Sequence, residues 1–407
     1  MDRKLIFFVC LLGLICLIHS AGDATINVQK KYQYIRGFGG INLPDWISDL
    51  NQNQREKAFK NGAGQLGFTV LRVYVSDDSK AWYKSVETAR FAQSLGATIF
   101  ATPWNPPSSM TEQFSEGGRT GKRLRKDKYG DYANHLNSFV QYMKSKGVTI
   151  YAISIQNEPD YAHEWTWWTP QECVTFLANY ASKINCRIMS PETFQYNKQY
   201  YNVILSNSKA NANVDVFATH FYGTTRSQMD FPALENDPRE IWMTEVYVPN
   251  SSSDADTWPE AIEVAVNMHN GLVVGSMSAY VWWYIRRSYG PIKENGNISK
   301  RGYMMAHFSK FIRPGAFRID ATESPENGVY ISAYKNNKDG TVVIVAINNG
   351  NKSYSQFYKL NGKSIKRVDR YKTTQVTNLA LTQNLQLTGN GFYAYIDSKS
   401  VSTYVVS

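Results

Sequence analysis

Cysteine is scarce. Four occur in 407 residues, and Cys10 and Cys16 lie inside the apolar run that opens the chain. The other two, Cys173 and Cys186, bracket a stretch from Glu172 to Ile184 that reads as a helix. Such a helix would hold them roughly 20 Å apart at 1.5 Å per residue, whereas a disulfide needs Cα atoms within about 7 Å. Two free thiols are expected, with no metal site and no cofactor. Long apolar segments are also missing beyond residue 18. The one that exists, Leu5 to Ile18, follows Met1-Asp2-Arg3-Lys4 and gives way to His19-Ser20-Ala21-Gly22. It is too short to span a bilayer. A charged head, an apolar stretch and then small residues make a secretory signal peptide, assigned to residues 1–21. The expectation is therefore an exported, extracellular protein with no membrane partner. A chain of this length can bury a large core without disulfides.

Acidic residues are outnumbered, 34 against 44 lysines and arginines, for a net charge of +10. The basic residues are dispersed, and no zinc finger, helix-turn-helix or RNA-binding signature occurs, so nucleic acid is not an expected partner. An aromatic content of 14% suits an acidic polysaccharide instead, because the C–H faces of sugars stack on indole and phenol rings. A monomer is expected.

What is present is a change of periodicity. From Ile35 to about His307, apolar strands alternate with amphipathic helices such as Ser85 to Leu95 and Tyr132 to Lys146. The strands fall at Ile35–Gly40, Thr69–Tyr74, Thr98–Pro103, Tyr151–Ile155, Arg187–Pro191, Val216–His220, Ile241–Glu245 and Ala279–Tyr284. Eight βα units predict an α/β fold, a (β/α)8 TIM barrel over residues 35–312. After Arg313-Pro314-Gly315 the pattern becomes short alternating strands separated by turn sequences: Gly328–Tyr334, Thr341–Ile347, Tyr354–Leu360, Ser364–Tyr371, Gly391–Ile396 and Ser402–Val406. This predicts a small attached β-sandwich over residues 313–407. Residues 22–34 also alternate and are expected to add a strand to it.

Two glutamates close apolar strands. Glu158 follows Ile153-Ser154-Ile155-Gln156-Asn157, and Glu245 ends Ile241-Trp242-Met243-Thr244. On the strand count these are the ends of strands four and seven, where a barrel carries its chemistry. Two carboxylates from different strands are what glycosidic cleavage needs: one protonates the leaving oxygen, the other attacks the anomeric carbon or activates water. The bland alternative is a strand-end glutamate paired with an arginine. Asn157, beside Glu158, is placed to donate to a sugar hydroxyl, and Arg72, at the end of strand two, to pair with a carboxylate. Aromatics recur on the same rim: Trp46, Trp104, Tyr161, Trp165, Tyr222, Tyr247 and Trp283. Their recurrence suggests a cleft for several sugar rings. Past strand eight, Trp282-Trp283-Tyr284-Ile285-Arg286-Arg287-Ser288-Tyr289-Gly290 offers an arginine–tyrosine pair able to clamp a carboxylate, with no acidic residue in that loop to occupy it. Surface charges or a capping pair are the alternative.

Together with Ile35–Gly40, Thr102–Ser108, Gln156–Trp168, Trp242–Tyr247, Ser299–Tyr303 and Ala306–Phe311, this segment resembles a glycoside hydrolase family 30 glucuronoxylanase. The type is bacterial and cuts xylan beside a methylglucuronic acid branch. The resemblance covers nearly all of the barrel. It implies that Glu158 is the acid/base and Glu245 the nucleophile of a retaining endo-1,4-β-xylanase. It also implies that Arg287, Tyr289 and Trp283 recognise the glucuronate of glucuronoxylan, joined by a serine from the loop after strand seven. Ser253 is the best match among Ser251, Ser252 and Ser253. A general endo-xylanase, or an endo-glucanase or β-glucosidase of the same family, would need no charged clamp. A non-catalytic carbohydrate-binding barrel would have lost one of the glutamates.

Overall fold

The computed structural model describes residues 19–116, 119–161, 163, 165–249 and 254–407. Eight parallel strands close into a barrel in sequence order: Gly37–Asn42, Val70–Val75, Thr98–Pro103, Ile150–Ser154, Arg187–Thr193, Val216–His220, Glu240–Glu245 and Ala279–Tyr284. Alternation along each strand sets two shells. Val70, Phe100, Ala152, Met189, Val216, Ala218, Trp242, Ala279 and Val281 fill the interior, while their neighbours Leu71, Val73, Ile153, Ile188, Phe217, Ile241 and Met243 face the helices. Trp242 stacks on Tyr151 at 5.7 Å. At Gly39 a Cβ would lie 1.7 Å from the Val70 carbonyl oxygen, so only glycine lets strand one press against strand two.

The second layer is an antiparallel-dominated β-sandwich with its own core, including Ile26, Val28, Ile331, Ile344, Tyr358, Phe392 and Tyr404. Ala24–Ile35 pairs antiparallel with Ala316–Ala321 and parallel with Tyr354–Asn361. It then runs directly into the first barrel strand, so one segment ties the two layers together. That strand extends through Ile35, and the barrel strand begins at Gly37 rather than Ile35. The strand Ala316–Ala321 and a hairpin, Thr111–Glu116 with Arg119–Leu124, were not foreseen from the sequence. The helix expected over Glu172–Ile184 is shorter, Pro170–Asn179, and is followed by a 3-10 turn at Ala181–Lys183. Cys173 and Cys186 are both free. Residues 1–18, most of the expected signal peptide, lie outside the described residues. Among the described residues, no helix is long and apolar enough to cross a membrane.

Candidate active site

Five ionisable side chains converge at the carboxyl end of the barrel. Arg72 continues the inward row Val70–Arg72–Tyr74 of strand two and is fully buried. It pairs with Glu245, with Glu192 at 3.1 Å, and through Nη2 with the Asn157 amide oxygen at 2.7 Å. Glu245 also accepts a hydrogen bond from the Tyr222 hydroxyl at 2.8 Å. Glu158 faces His220, with Nδ1 and Oε1 2.8 Å apart, and His220 Nε2 lies 3.5 Å from Glu192.

Plain alternation would not deliver this set. Ile241 and Met243 point outward, so Glu245 should point outward too. A register shift pairs Thr219 with Met243 but His220 with Glu245, leaving Thr244 as an extra residue. That bulge turns the Glu245 side chain inward, a common use of bulges beside active sites. A second shift, between Ala218–Pro191 and Thr219–Thr193, leaves Glu192 unpaired with a left-handed φ of 56°. Glu158 has φ 42°, and its N–H donates to the Glu192 carbonyl at 3.0 Å. Two non-glycine residues in this costly region, side by side, mark a site whose backbone is held by its surroundings.

Burial and charge divide the carboxyls. Burial raises Glu158, helped by the charge of Glu245, and the His220 hydrogen bond only partly opposes it, so its pKa is pushed up to about 7. Burial works the same way on Glu192, but Arg72 and His220 overcome it and hold that carboxyl at about 2. His220 is raised to about 9, because the charge of Glu245 and contacts with Glu158 and Glu192 outweigh its own burial. Arg72 is raised by Glu192 and Glu245 despite burial. With Arg72 and His220 cationic and Glu192 and Glu245 anionic, the cluster is neutral when Glu158 holds its proton. Oxygen and nitrogen atoms of Glu158, His220 and Glu245 lie within 4.8 Å of one another, close enough for a metal ion. The guanidinium of Arg72, already paired with Glu245, supplies the positive charge there.

Around this cluster the expected aromatics form two groups. Trp46, 47% exposed, meets Tyr74, Trp104 and Trp283 at 5.6–6.1 Å. Trp104 is buried beneath them, with the Arg72 guanidinium 4.7 Å from its ring, so it is a floor rather than an open platform. Trp165 packs against the same group. On the other side Tyr161, exposed, stacks on Phe194 at 4.1 Å, and Phe194 on Tyr222 at 5.2 Å. Tyr247 bridges Tyr222 and Tyr289 at 5.5 and 4.9 Å. Arg286 and Arg287 separate. Arg286 is buried and donates to the Ser48 carbonyl and hydroxyl and to Gln54, whereas Arg287 is partly exposed with its guanidinium 5.1 Å from the Tyr284 ring. One expectation needs correction: Arg287 does have an acidic neighbour, because the chain past Gly290 turns back and brings Glu294 within 3.6 Å of Nη1. Ser253, like Ser251 and Ser252, lies outside the described residues.

His220, Glu192 and Phe194 were missed. Their signal was available: His220 ends strand six as Glu245 ends strand seven, and Glu192 and Phe194 close and follow strand five.

Residues 315–404 match the glycosyl hydrolase family 30 beta sandwich domain. Glucuronoxylanase XynC of Bacillus subtilis (strain 168) is 53% identical over 392 residues, covering 95% of this chain and 92% of that protein. Among solved structures, a GH30 endoxylanase from Clostridium papyrosolvens C71 superposes with a TM-score of 0.88 at 39% identity, covering 95% of this chain and 100% of the other. Xyn30A from Clostridium acetobutylicum, a glycoside hydrolase family 30 subfamily 8 xylanase, gives 0.86 at 32% identity, covering 95% and 99%. With a barrel and sandwich of this form, paired glutamates at its mouth, and similarity along nearly the whole chain, the protein is a glycoside hydrolase and belongs to family 30.

Proposed function

We propose that this enzyme is an exported, retaining endo-1,4-β-xylanase that cuts glucuronoxylan at positions set by glucuronic acid branches. The observation that carries the retaining mechanism is the spacing of Glu158 and Glu245. An oxygen of each lies within 4.8 Å of the other, far from the ~6.5–9.5 Å carboxyl separation that leaves room for a water in inverting enzymes. Glu245 attacks the anomeric carbon, held in place by Arg72 and Tyr222, while neutral Glu158 protonates the leaving oxygen. Once Glu245 is esterified its charge is gone, which removes one cause of the high Glu158 pKa. Glu158 then ionises readily and takes a proton from the water that hydrolyses the intermediate. Asn157 has a buried Nδ2 with no hydrogen-bond partner among the described residues, a donor suited to the sugar 2-hydroxyl.

The xylanase and glucuronoxylanase relatives support the substrate. Arg287, Tyr289 and Trp283 supply a cation, a phenol and an indole beside the cleft for the branch. Export is supported by the charged head and apolar run over Met1 to Ile18, and N-terminal sequencing of the mature protein checks it. The deciding experiment is side-by-side digestion of glucuronoxylan and unsubstituted linear xylan, with NMR of the first anomer released. Preference for glucuronoxylan with β-configured products is expected. Equal rates would move the enzyme to a general endo-xylanase, and α-configured products would end the retaining assignment.

A further inference from the structure

Arg287 is not an open cation. Glu294 Oε1 lies 3.6 Å from its Nη1, and Oε2 of the same carboxylate lies 3.4 Å from Arg286 Nε. Both distances are ion-pair contacts without hydrogen-bond geometry, and the Nε atoms of Arg286 and Arg287 are buried with no hydrogen-bond partner among the described residues. Arg286 is pinned by Ser48 at 2.7 and 2.8 Å and by Gln54 at 3.2 Å. Glu294 sits on a tight turn closed by the Gly296 N–H donating to the Lys293 carbonyl at 2.8 Å. Its side chain is 53% exposed and that of Arg287 39%. The carboxylate thus stands between one fixed guanidinium and one that faces solvent.

We propose that Glu294 is a displaceable internal counter-ion for Arg287, which the carboxylate of a glucuronate branch replaces on binding. This rests on the reading of Arg287 as the glucuronate-recognising residue. When the branch arrives, Arg287 exchanges one carboxylate for another and Glu294 keeps Arg286 as its partner, so neither charge is left alone. Until then Glu294 occupies Arg287 against smaller anions. Its negative charge also opposes the incoming glucuronate, so glucuronate binding is weaker than Arg287 alone would give.

The test is Glu294→Gln, nearly isosteric and on an exposed turn, assayed on glucuronoxylan and for inhibition by free D-glucuronate. The Michaelis constant and the inhibition constant should both fall about 1.5- to 5-fold, the range of an exposed ion pair, with the change in KM rather than kcat. Glu294→Asp, which keeps the charge but withdraws it by one methylene, should give a smaller fall in both constants. In an Arg287→Ala background the fall should shrink, leaving only the part that comes from direct repulsion of the glucuronate. Constants that stay the same or rise in Glu294→Gln would overturn the proposal, as would an equal fall without Arg287. Arg287→Ala alone tests the underlying reading. If it leaves the preference for glucuronoxylan intact, the glucuronate assignment fails, whereas a lost preference with silent Glu294 variants sinks only the counter-ion.

Discussion

Charge balance at the barrel mouth decides what each residue can do. Arg72 and His220 offset Glu192 and Glu245, so the carboxyl of Glu158 is left to carry a proton near neutral pH. Since the proton donor is active only while protonated, turnover of glucuronoxylan should fall as pH rises through about 7. A pH–rate profile whose alkaline limb sits at the ordinary glutamate value of 4.5 would contradict the assignment. Glu158→Gln should cost about 10²–10⁴-fold on xylan and much less on an aryl xyloside whose leaving group needs no proton. Glu192 allows a subtler measurement. Glu192→Gln keeps an acceptor for Arg72 but removes one negative charge, making the cluster net positive and favouring ionised Glu158. The alkaline limb should therefore move to lower pH, and an unmoved limb would reduce Glu192 to a purely structural partner. Arg287 belongs to the same scale. A hydrogen bond to a charged group contributes about 1.5–3 kcal/mol, so Arg287→Ala should lower the glucuronoxylan-to-xylan rate ratio roughly tenfold to a hundredfold.

The helix after strand four is defined by its first turn. Thr169 accepts from the Glu172 N–H at 3.2 Å while the Glu172 carboxylate accepts from the Thr169 N–H at 2.7 Å, and Pro170 follows the cap. Thr169→Ala should cost about 1 kcal/mol, read as a lower urea midpoint at unchanged slope. A null result would show that Pro170 and packing define that end by themselves. The helix stops at Asn179, not at Ile184, because Tyr180 breaks from helical backbone (φ −130°) to pack its ring 5.6 Å from Tyr129, a contact with no trace in local periodicity. The existence of the eight barrel strands was legible from their apolar runs, as were the positions of Glu158, Glu245 and Asn157 near strand ends. Arg72, expected at the end of strand two, lies inside it because Val70–Val75 runs on for three more residues. Ala316–Ala321 was not, since its neighbouring strands, not its own composition, place it in the sheet.

Across the whole molecule the two layers meet along Val342–Asn348. Val343, Val345 and Ile347 pack with the barrel's outer shell, and Val342, Ile344 and Ala346 with the sandwich core. A strand covered on both faces reads as a near-continuous apolar run, as this one does. Inside the seam, His307 of the last barrel helix holds Thr403 at 2.8 Å and Thr373 at 2.9 Å through its two ring nitrogens. Burial drops its pKa from 6.5 to about 3. The folded state thus binds fewer protons than the unfolded chain between those values. The stability tied to neutral His307 is complete above about 6.5 and is lost as pH falls toward 3, by at most about 1.4 kcal/mol per pH unit. His307→Gln should be less stable at neutral pH but lose less on acidification, and equal acid slopes in denaturant titrations would show that the seam does not respond to this histidine.

Strand number, the change from barrel to sandwich, and the placing of two glutamates at strand ends came from the sequence itself, because apolar period and turn chemistry are local properties of the chain. The direction of those glutamates did not. Period-two alternation aims Glu245 at the helices, and the bulges beside Thr244 and at Glu192 exist only once neighbouring strands are in register. Glu294 meets Arg287 for a related reason: the chain past Gly290 is folded back by Ile292, whose N–H donates to the Ile285 carbonyl and whose carbonyl accepts from the Arg287 N–H, pairings that local periodicity does not reveal. Residues that act by being close across the barrel were decided by closure, since their distances depend on every strand between them.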